Sequence, residues 1–200
     1  MKYSIFNTPL LTPVLSVFAR LCLKISGWKL TFKGAESLPK SFVLIGAPHT
    51  SNWDFILMIL TALTLQIKIK WMGKHSLFKS PFKLLMLWMG GIPVDRRKAH
   101  NLVTSVATEF KNNSDLIVLI PPEGTRSPVS EWKTGFYHIA RISEVPVLMA
   151  AIDSKAKELK LLGSVRATQS DEEAIAQDIA LIKEYYKGID GINPKNSAQK

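Results

Sequence analysis

From residue 42 to residue 165 the chain alternates short apolar runs with stretches long enough for a helix. The runs lie at 42–46, 67–72, 91–94, 115–120, 145–152 and 159–165, and 115–120 (Asp-Leu-Ile-Val-Leu-Ile) is the most strand-like. Most are shorter than an ordinary helix and apolar with little interruption, which suits strands buried on both faces. Between them, 55–65, 82–89, 99–111 and 135–141 read as helices. A further helix is predicted over 171–186. Ser170 stands as its cap, acids fill its first turn, and Ala174, Ile175, Ile179, Ile182 and Tyr186 form its apolar stripe. This order predicts an α/β fold: a mostly parallel (mixed) β-sheet flanked by helices on both faces. Two hundred residues suit one such domain. At 46% hydrophobic and 21% charged, the composition excludes a disordered chain.

The start of the chain has a different character. Residues 3–19 carry no charge, yet Asn7, Thr8, Pro9, Thr12 and Pro13 interrupt them. A spanning helix needs about 20 apolar residues, so none is expected here. A cleaved signal is not expected either, because Lys2 is the only early cation and no small-residue cleavage site follows. Residues 10–28 read as an amphipathic helix lying in a membrane interface. Phe18, Leu21, Leu23 and Trp28 would face acyl chains, and Arg20, Lys24 and Lys29 would face head groups. Plain packing on the domain is the alternative. Residues 34–40 are a turn-rich connector. The expected division is an N-terminal amphipathic segment at 1–30, the α/β domain at 31–191 and a flexible tail at 192–200.

The net charge is +10, which favours an anionic partner: nucleic acid, an anionic membrane, or an acidic protein or substrate. The cations sit singly at loop tips, and no recognition helix or base-stacking motif appears, so nucleic acid is not expected. Cys22 is the only cysteine, which leaves no internal disulfide and no thiolate metal cluster, and fits a reducing compartment. His75, His100 and His138 lack ligand-like spacing, and no metal is expected.

The chemistry concentrates after the first strand, in Pro48-His49-Thr50-Ser51-Asn52-Trp53-Asp54. Residues five apart on a helix point roughly 140° away from each other, so His49 and Asp54 could not meet in mid-helix. They can meet if His49 lies in the turn before the helix and Asp54 in its first turn. Ser51 or Asn52 would then cap the helix. A carboxylate so placed holds one imidazole nitrogen and leaves the other as a base. Helix capping by Ser51-x-x-Asp54 is the competing reading. Other strand ends carry cations: Lys74, then Arg96 and Arg97, then Arg126 within Pro121-Pro122-Glu123-Gly124-Thr125-Arg126-Ser127. In a parallel sheet those ends share one rim with His49. Arg offers a fork of donors that matches phosphate, and Lys adds a point charge. Gly124 permits close backbone approach, and Thr125 and Ser127 add hydroxyls. For Lys74 taken alone, a solvated charge is the plainer reading.

These stretches resemble the glycerolipid acyltransferases, the family of the 1-acylglycerol-3-phosphate acyltransferases. His49-Thr50-Ser51-Asn52-Trp53-Asp54 looks like its H-x4-D motif. Gly90-Gly91-Ile92-Pro93-Val94-Asp95-Arg96 is similar to its second motif, whose arginine binds acceptor phosphate. Glu123-Gly124-Thr125-Arg126-Ser127 resembles its E-G-T-R-S signature, and Val145-Pro146-Val147 its proline-centred fourth motif. Lys74 matches the lysine that commonly precedes the second. Pro48 and Pro121-Pro122 depart from the family's usual residues at those places.

The resemblance implies transfer of a fatty acyl group to a lysophosphatidate-like hydroxyl. The thioester donor would be acyl-CoA or acyl carrier protein, acting as co-substrate, with no other cofactor. His49 would be the base and Asp54 its orienting partner. Lys74, Arg96, Glu123, Gly124, Thr125 and Arg126 would make the phosphate site, with Glu123 orienting Arg126 or an acceptor hydroxyl. Backbone donors near Gly124 are candidates for steadying the oxyanion. No G-x-S-x-G elbow is present, so no covalent intermediate is expected. The expected partners are an anionic lipid and a membrane surface, with peripheral or monotopic attachment on the cytoplasmic face. Another lipid acceptor, or a non-catalytic basic lipid- or nucleic-acid-binding protein, is the alternative.

Overall fold

The computed structural model describes residues 3–32, 38–79, 81–94 and 99–197, with 99–101 described by backbone alone. In chain order the elements are α1 (Leu11–Ile25), β1 (Lys29–Phe32), β2 (Phe42–Ala47), α2 (Trp53–Leu65), β3 (Ile69–Lys74), α3 (Lys83–Trp88), β4 (Gly91–Val94), α4 (Ala99–Asn112), β5 (Ile117–Ile120), α5 (Gly135–Ile142), β6 (Val147–Asp153), β7 (Glu158–Val165) and α6 (Glu172–Glu184). One seven-stranded sheet runs in the order β1-β7-β6-β2-β5-β3-β4. Strand β2 pairs in parallel with β5 and β6, and β3 with β5 and β4. Strand β7 returns antiparallel to β6 and carries β1 parallel to itself. The sheet is therefore mixed and mostly parallel.

Alternate residues of each strand feed opposite faces. Val43, Ile45 and Ala47 of β2, with Val147, Met149 and Ala151 of β6, join Val106 and Phe110 of α4, Phe136 and Ile139 of α5, and Ile175, Ile179 and Ile182 of α6. Phe42 of β2 and Leu148 of β6 turn the other way, toward Ala19 of α1 and Ile59, Ala62 and Leu63 of α2. Both faces are covered, which explains why the central strands read as nearly unbroken apolar runs.

Several expectations need correcting. Strand β1 was unforeseen; its Lys29 pairs with Glu158, so Lys29 belongs to the sheet and not to the N-terminal helix. The division expected between 30 and 31 falls inside this strand. The cap of α6 is Asp171, whose carboxylate accepts from Ala174 N, and not Ser170. The segment expected as a flexible tail folds back through 197. Ser197 is buried, its Oγ accepts from Gly191 N at 3.0 Å, and Asn193 N donates to Thr50 Oγ1 at 3.0 Å.

Helix α1 is apolar on two sides. Its inner side buries Ala19 and Leu23, and Leu23 packs with Leu57 and Leu159. Leu23 is thus core and not the outward residue expected, and Trp28 is half-buried in the same cluster. The outer side leaves Val14, Val17, Phe18, Leu21 and Ile25 exposed. Among the described residues no helix is long and apolar enough to cross a membrane.

Candidate active site

Strand β2 ends at Ala47, and a cis Ala47–Pro48 peptide bond leads into the loop that carries His49. Helix α2 begins at Trp53, which puts Asp54 in its first turn. His49 Nδ1 lies 2.9 Å from Asp54 Oδ2. The same oxygen accepts from Thr50 N at 2.7 Å and Ser51 N at 2.9 Å. Three N–H donors converge on one carboxylate oxygen, so Nδ1 carries the proton in the neutral ring and Nε2 is left as the basic nitrogen. The two readings of Ser51-x-x-Asp54 therefore hold together. Asp54 ties down the start of the helix and also orients the imidazole. Asn52 occupies the cap position but makes no side-chain cap hydrogen bond, and Ser51 Oγ accepts only from Trp53 N, at 3.2 Å. Asp54 is buried while His49 keeps a quarter of its side chain exposed (25% against 7%), so the imidazole is reachable from solvent and the carboxylate is shielded.

The loop after β5 packs onto this turn. Glu123 is buried, and its Oε1 accepts from His49 N at 3.0 Å. Burial pushes the Glu123 carboxyl above its ordinary range, against the pull of hydrogen bonds from its own backbone and that of His49. Glu123 Oε1 thus faces the backbone of the His49 loop. Tyr186 lies close below, fully buried, with its hydroxyl on Ile45 O at 3.3 Å. Burial, and then the nearby Glu123 charge, hold its phenol well above the ordinary value.

Arg126 is exposed and donates to Asn52 Oδ1, so its guanidinium is held beside the His49 loop. Gly124 takes a left-handed φ of 65°, which turns the chain sharply between Glu123 and Arg126. Its N–H donates to Pro121 O at 3.1 Å, so that donor serves the turn and not an oxyanion. Thr125 Oγ1 accepts from Ser127 N at 3.4 Å. Lys74 is the exposed last residue of β3. The shared register of Leu44, Leu119 and Trp71 sets it level with Ala47, two strands away, or about 10 Å at ordinary strand spacing. Arg96 and Arg97 lie outside the described residues.

Trp53, Trp71, Trp88 and Trp132 do not share one surface. Trp71 and Trp132 are buried in the core, and Trp71 Nε1 donates to Met89 O. Trp88 Nε1 donates to Thr8 Oγ1, while Trp53 is exposed beside the His49 loop. Among the described residues no group of histidine, cysteine and carboxylate side chains could hold a metal ion. Sequence reasoning missed three contributors: Asn52 as the holder of Arg126, the buried Thr50, and the segment 189–197. For the last, Gly191 and Pro194 gave only a turn signal.

Comparison with known proteins agrees with this architecture. Comparison with curated proteins finds no match. Among solved structures, the chain resembles the crystal structure of the 1-acyl-sn-glycerophosphate (LPA) acyltransferase PlsC from Thermotoga maritima. The TM-score is 0.56 at 19% identity, over 87% of this chain and 78% of that one. At that identity the likeness speaks for the fold. The sequence profile of the Acyltransferase family matches residues 29–153, which run from the first strand to the last residue of β6 and take in His49, Asp54 and the loop of Glu123 and Arg126. With that match covering more than half of its length, the chain belongs to the Acyltransferase family.

Proposed function

We propose that this acyltransferase moves a fatty acyl group from a thioester donor, acyl-CoA or acyl carrier protein, to the hydroxyl of a lysophosphatidate-like acceptor. The observation that carries the reading is the His49 Nδ1–Asp54 Oδ2 pair with Arg126 tied to the same loop through Asn52. Nε2 of His49 takes the acceptor hydroxyl's proton as the oxygen attacks the thioester carbonyl. Asp54 stabilises the imidazolium that forms, and the thiolate leaves with the proton returned from Nε2. Arg126 and Lys74 supply positive charge for the acceptor phosphate, with Arg96 expected to add to them. Glu123 and Asp54 are buried, which keeps their charge away from the exposed Arg126 and Lys74.

The protein works at a membrane surface in this reading. Val14, Val17, Phe18, Leu21 and Ile25 expose an apolar stripe on α1, flanked by Arg20 and Lys24. Trp53 and Ile56 add exposed apolar surface at the start of α2, next to His49. Apolar contact plus cations suits an anionic interface. The test is mass spectrometry of products after offering acyl-CoA or acyl carrier protein with a panel of lysolipids. Acylated phospholipid is expected. Free fatty acid with no acylated lipid would overturn the reading in favour of thioester hydrolysis.

A further inference from the structure

The last described segment of the chain, outside the family-matched residues, reaches the catalytic loop. After α6 the backbone passes the end of β2 from one face of the sheet to the other. Ile189 is buried in the core beneath α6 together with Ala47 and Tyr186. Ile192 packs on the opposite side, with Leu57 and Leu60 of α2. Between them, Gly191 lies against Pro48 and Thr50. A Cβ at Gly191 would stand 2.6 Å from both Cγ2 and Oγ1 of Thr50 and 3.1 Å from Pro48 Cγ. Only a residue without a side chain fits there.

This approach is fixed from both directions. Gly191 N donates to the buried Ser197 Oγ at 3.0 Å, and Gly191 O accepts from Ser154 Oγ at 2.7 Å. Ser154 N donates to Asp190 O at 2.8 Å, which anchors the segment to the residue that follows β6. On the other side Asn193 N donates to Thr50 Oγ1 at 3.0 Å. Thr50 is 4% exposed, and its own N–H makes the shortest of the three hydrogen bonds to Asp54 Oδ2. A continuous path therefore runs from Ser154 through Gly191 and Asn193 to Thr50, Asp54 and His49.

We infer that residues 189–197 are a positioning brace for the His49 loop, in which Gly191 and the Asn193 amide seat Thr50 and thereby aim Asp54 at His49 Nδ1. Thr50, Gly191 and Asn193 are positioning residues, since they act through Asp54 and touch no reacting atom. The inference rests on the reading of His49 as the base. Misplacing a catalytic group by about 1 Å is enough to cost on the order of 100-fold in rate.

The experiment compares Gly191→Ala, Thr50→Val and Thr50→Ser in the full chain. Thr50→Val keeps the shape and deletes the acceptor of the Asn193 amide, while Thr50→Ser restores that acceptor. Steady-state kinetics should show kcat lowered about 10- to 100-fold in Gly191→Ala and Thr50→Val, with both substrate KM values within about twofold of wild type. Thr50→Ser should return most of the loss. Long-range 15N–1H NMR of the imidazoles, with His49 assigned through a His49→Gln spectrum, should show one Nδ1-protonated tautomer in wild type and Thr50→Ser. The same signal should be a mixture in Thr50→Val. A folded Thr50→Val with wild-type kcat and a single tautomer overturns the brace, even if Gly191→Ala fails to fold. If wild type transfers no acyl group at all, the proposed reaction falls, and the NMR comparison alone still decides the brace.

Discussion

Glu123 and His49, 74 positions apart in the chain, are joined by one hydrogen bond: the His49 N–H donates to Glu123 Oε1 at 3.0 Å. Two sequence motifs thus meet through the backbone of one and the buried side chain of the other. A free backbone N–H here would leave the loop unsupported from the β5 side. Glu123→Ala removes the acceptor, and a buried unpaired group costs about 1–3 kcal/mol. Urea denaturation should show a loss in that range, with activity falling alongside.

The same carboxyl makes stability depend on pH. Burial raises its folded-state pKa, so the folded protein binds this proton more tightly than the unfolded chain does. Its contribution is most favourable below the ordinary glutamate value and is lost as pH rises toward the folded value. Glu123→Gln keeps the oxygen that receives the His49 N–H and cannot ionise. Thermal melts across mildly acidic pH should show a fall in wild-type Tm with rising pH that is smaller in Glu123→Gln. A parallel pair of curves would contradict the assignment.

His49→Ala removes the proposed base at a side chain that is a quarter exposed. Activity should drop about 10²- to 10⁴-fold, and the far-UV circular dichroism spectrum should be unchanged. Retention of near-wild-type turnover would sink the role given to this residue.

Arg126→Ala should act on one substrate only. Hydrogen bonds to charged groups are worth about 1.5–3 kcal/mol, so the acceptor KM should rise about 10- to 100-fold. The thioester donor's KM should move little. Asn52→Ala, which frees the guanidinium from its holder, should raise the acceptor KM by a smaller factor. Equal effects on donor and acceptor would argue against a phosphate clamp.

Val17→Glu combined with Phe18→Glu tests the outer side of α1, where both residues are more than half exposed. Neither supports the core, and changes at such positions usually shift stability by no more than about 0.5 kcal/mol. Cosedimentation with anionic vesicles should be lost while Tm is nearly preserved. Undiminished vesicle binding would move the membrane contact elsewhere.

Much of this was readable in the chain, for identifiable reasons. Strands β2 and β5 lie within one or two residues of their predicted bounds, because central strands covered on both faces are continuous apolar runs, and the edge strand β4 is found where it was predicted. Strand β1 escaped notice because Lys-Leu-Thr-Phe is four residues long with mixed polarity, and its partner lies more than a hundred positions away at 158–161. The contact of His49 with Asp54 follows from helix geometry and a five-residue spacing. Glu123's inward turn does not follow from sequence, because an acid in a loop reads as solvated until tertiary packing covers it. The fold-back of 192–197 was hidden in the same way. Its polar residues suggest a solvated end, and the groups that hold it and the preceding Gly191, Thr50 accepting from Asn193 N and Ser154 donating to Gly191 O, come from distant loops.

The triple load on Asp54 Oδ2 has a practical consequence for anyone who needs an inert but intact version of this protein. The loop 49–51 and the entry to α2 hang from that oxygen, so replacing the aspartate disturbs architecture together with turnover, and an inactive product would be uninterpretable. The imidazole is only one of the three groups that hang there. A knockout intended for substrate trapping or structural work should therefore be made at position 49 and leave position 54 alone.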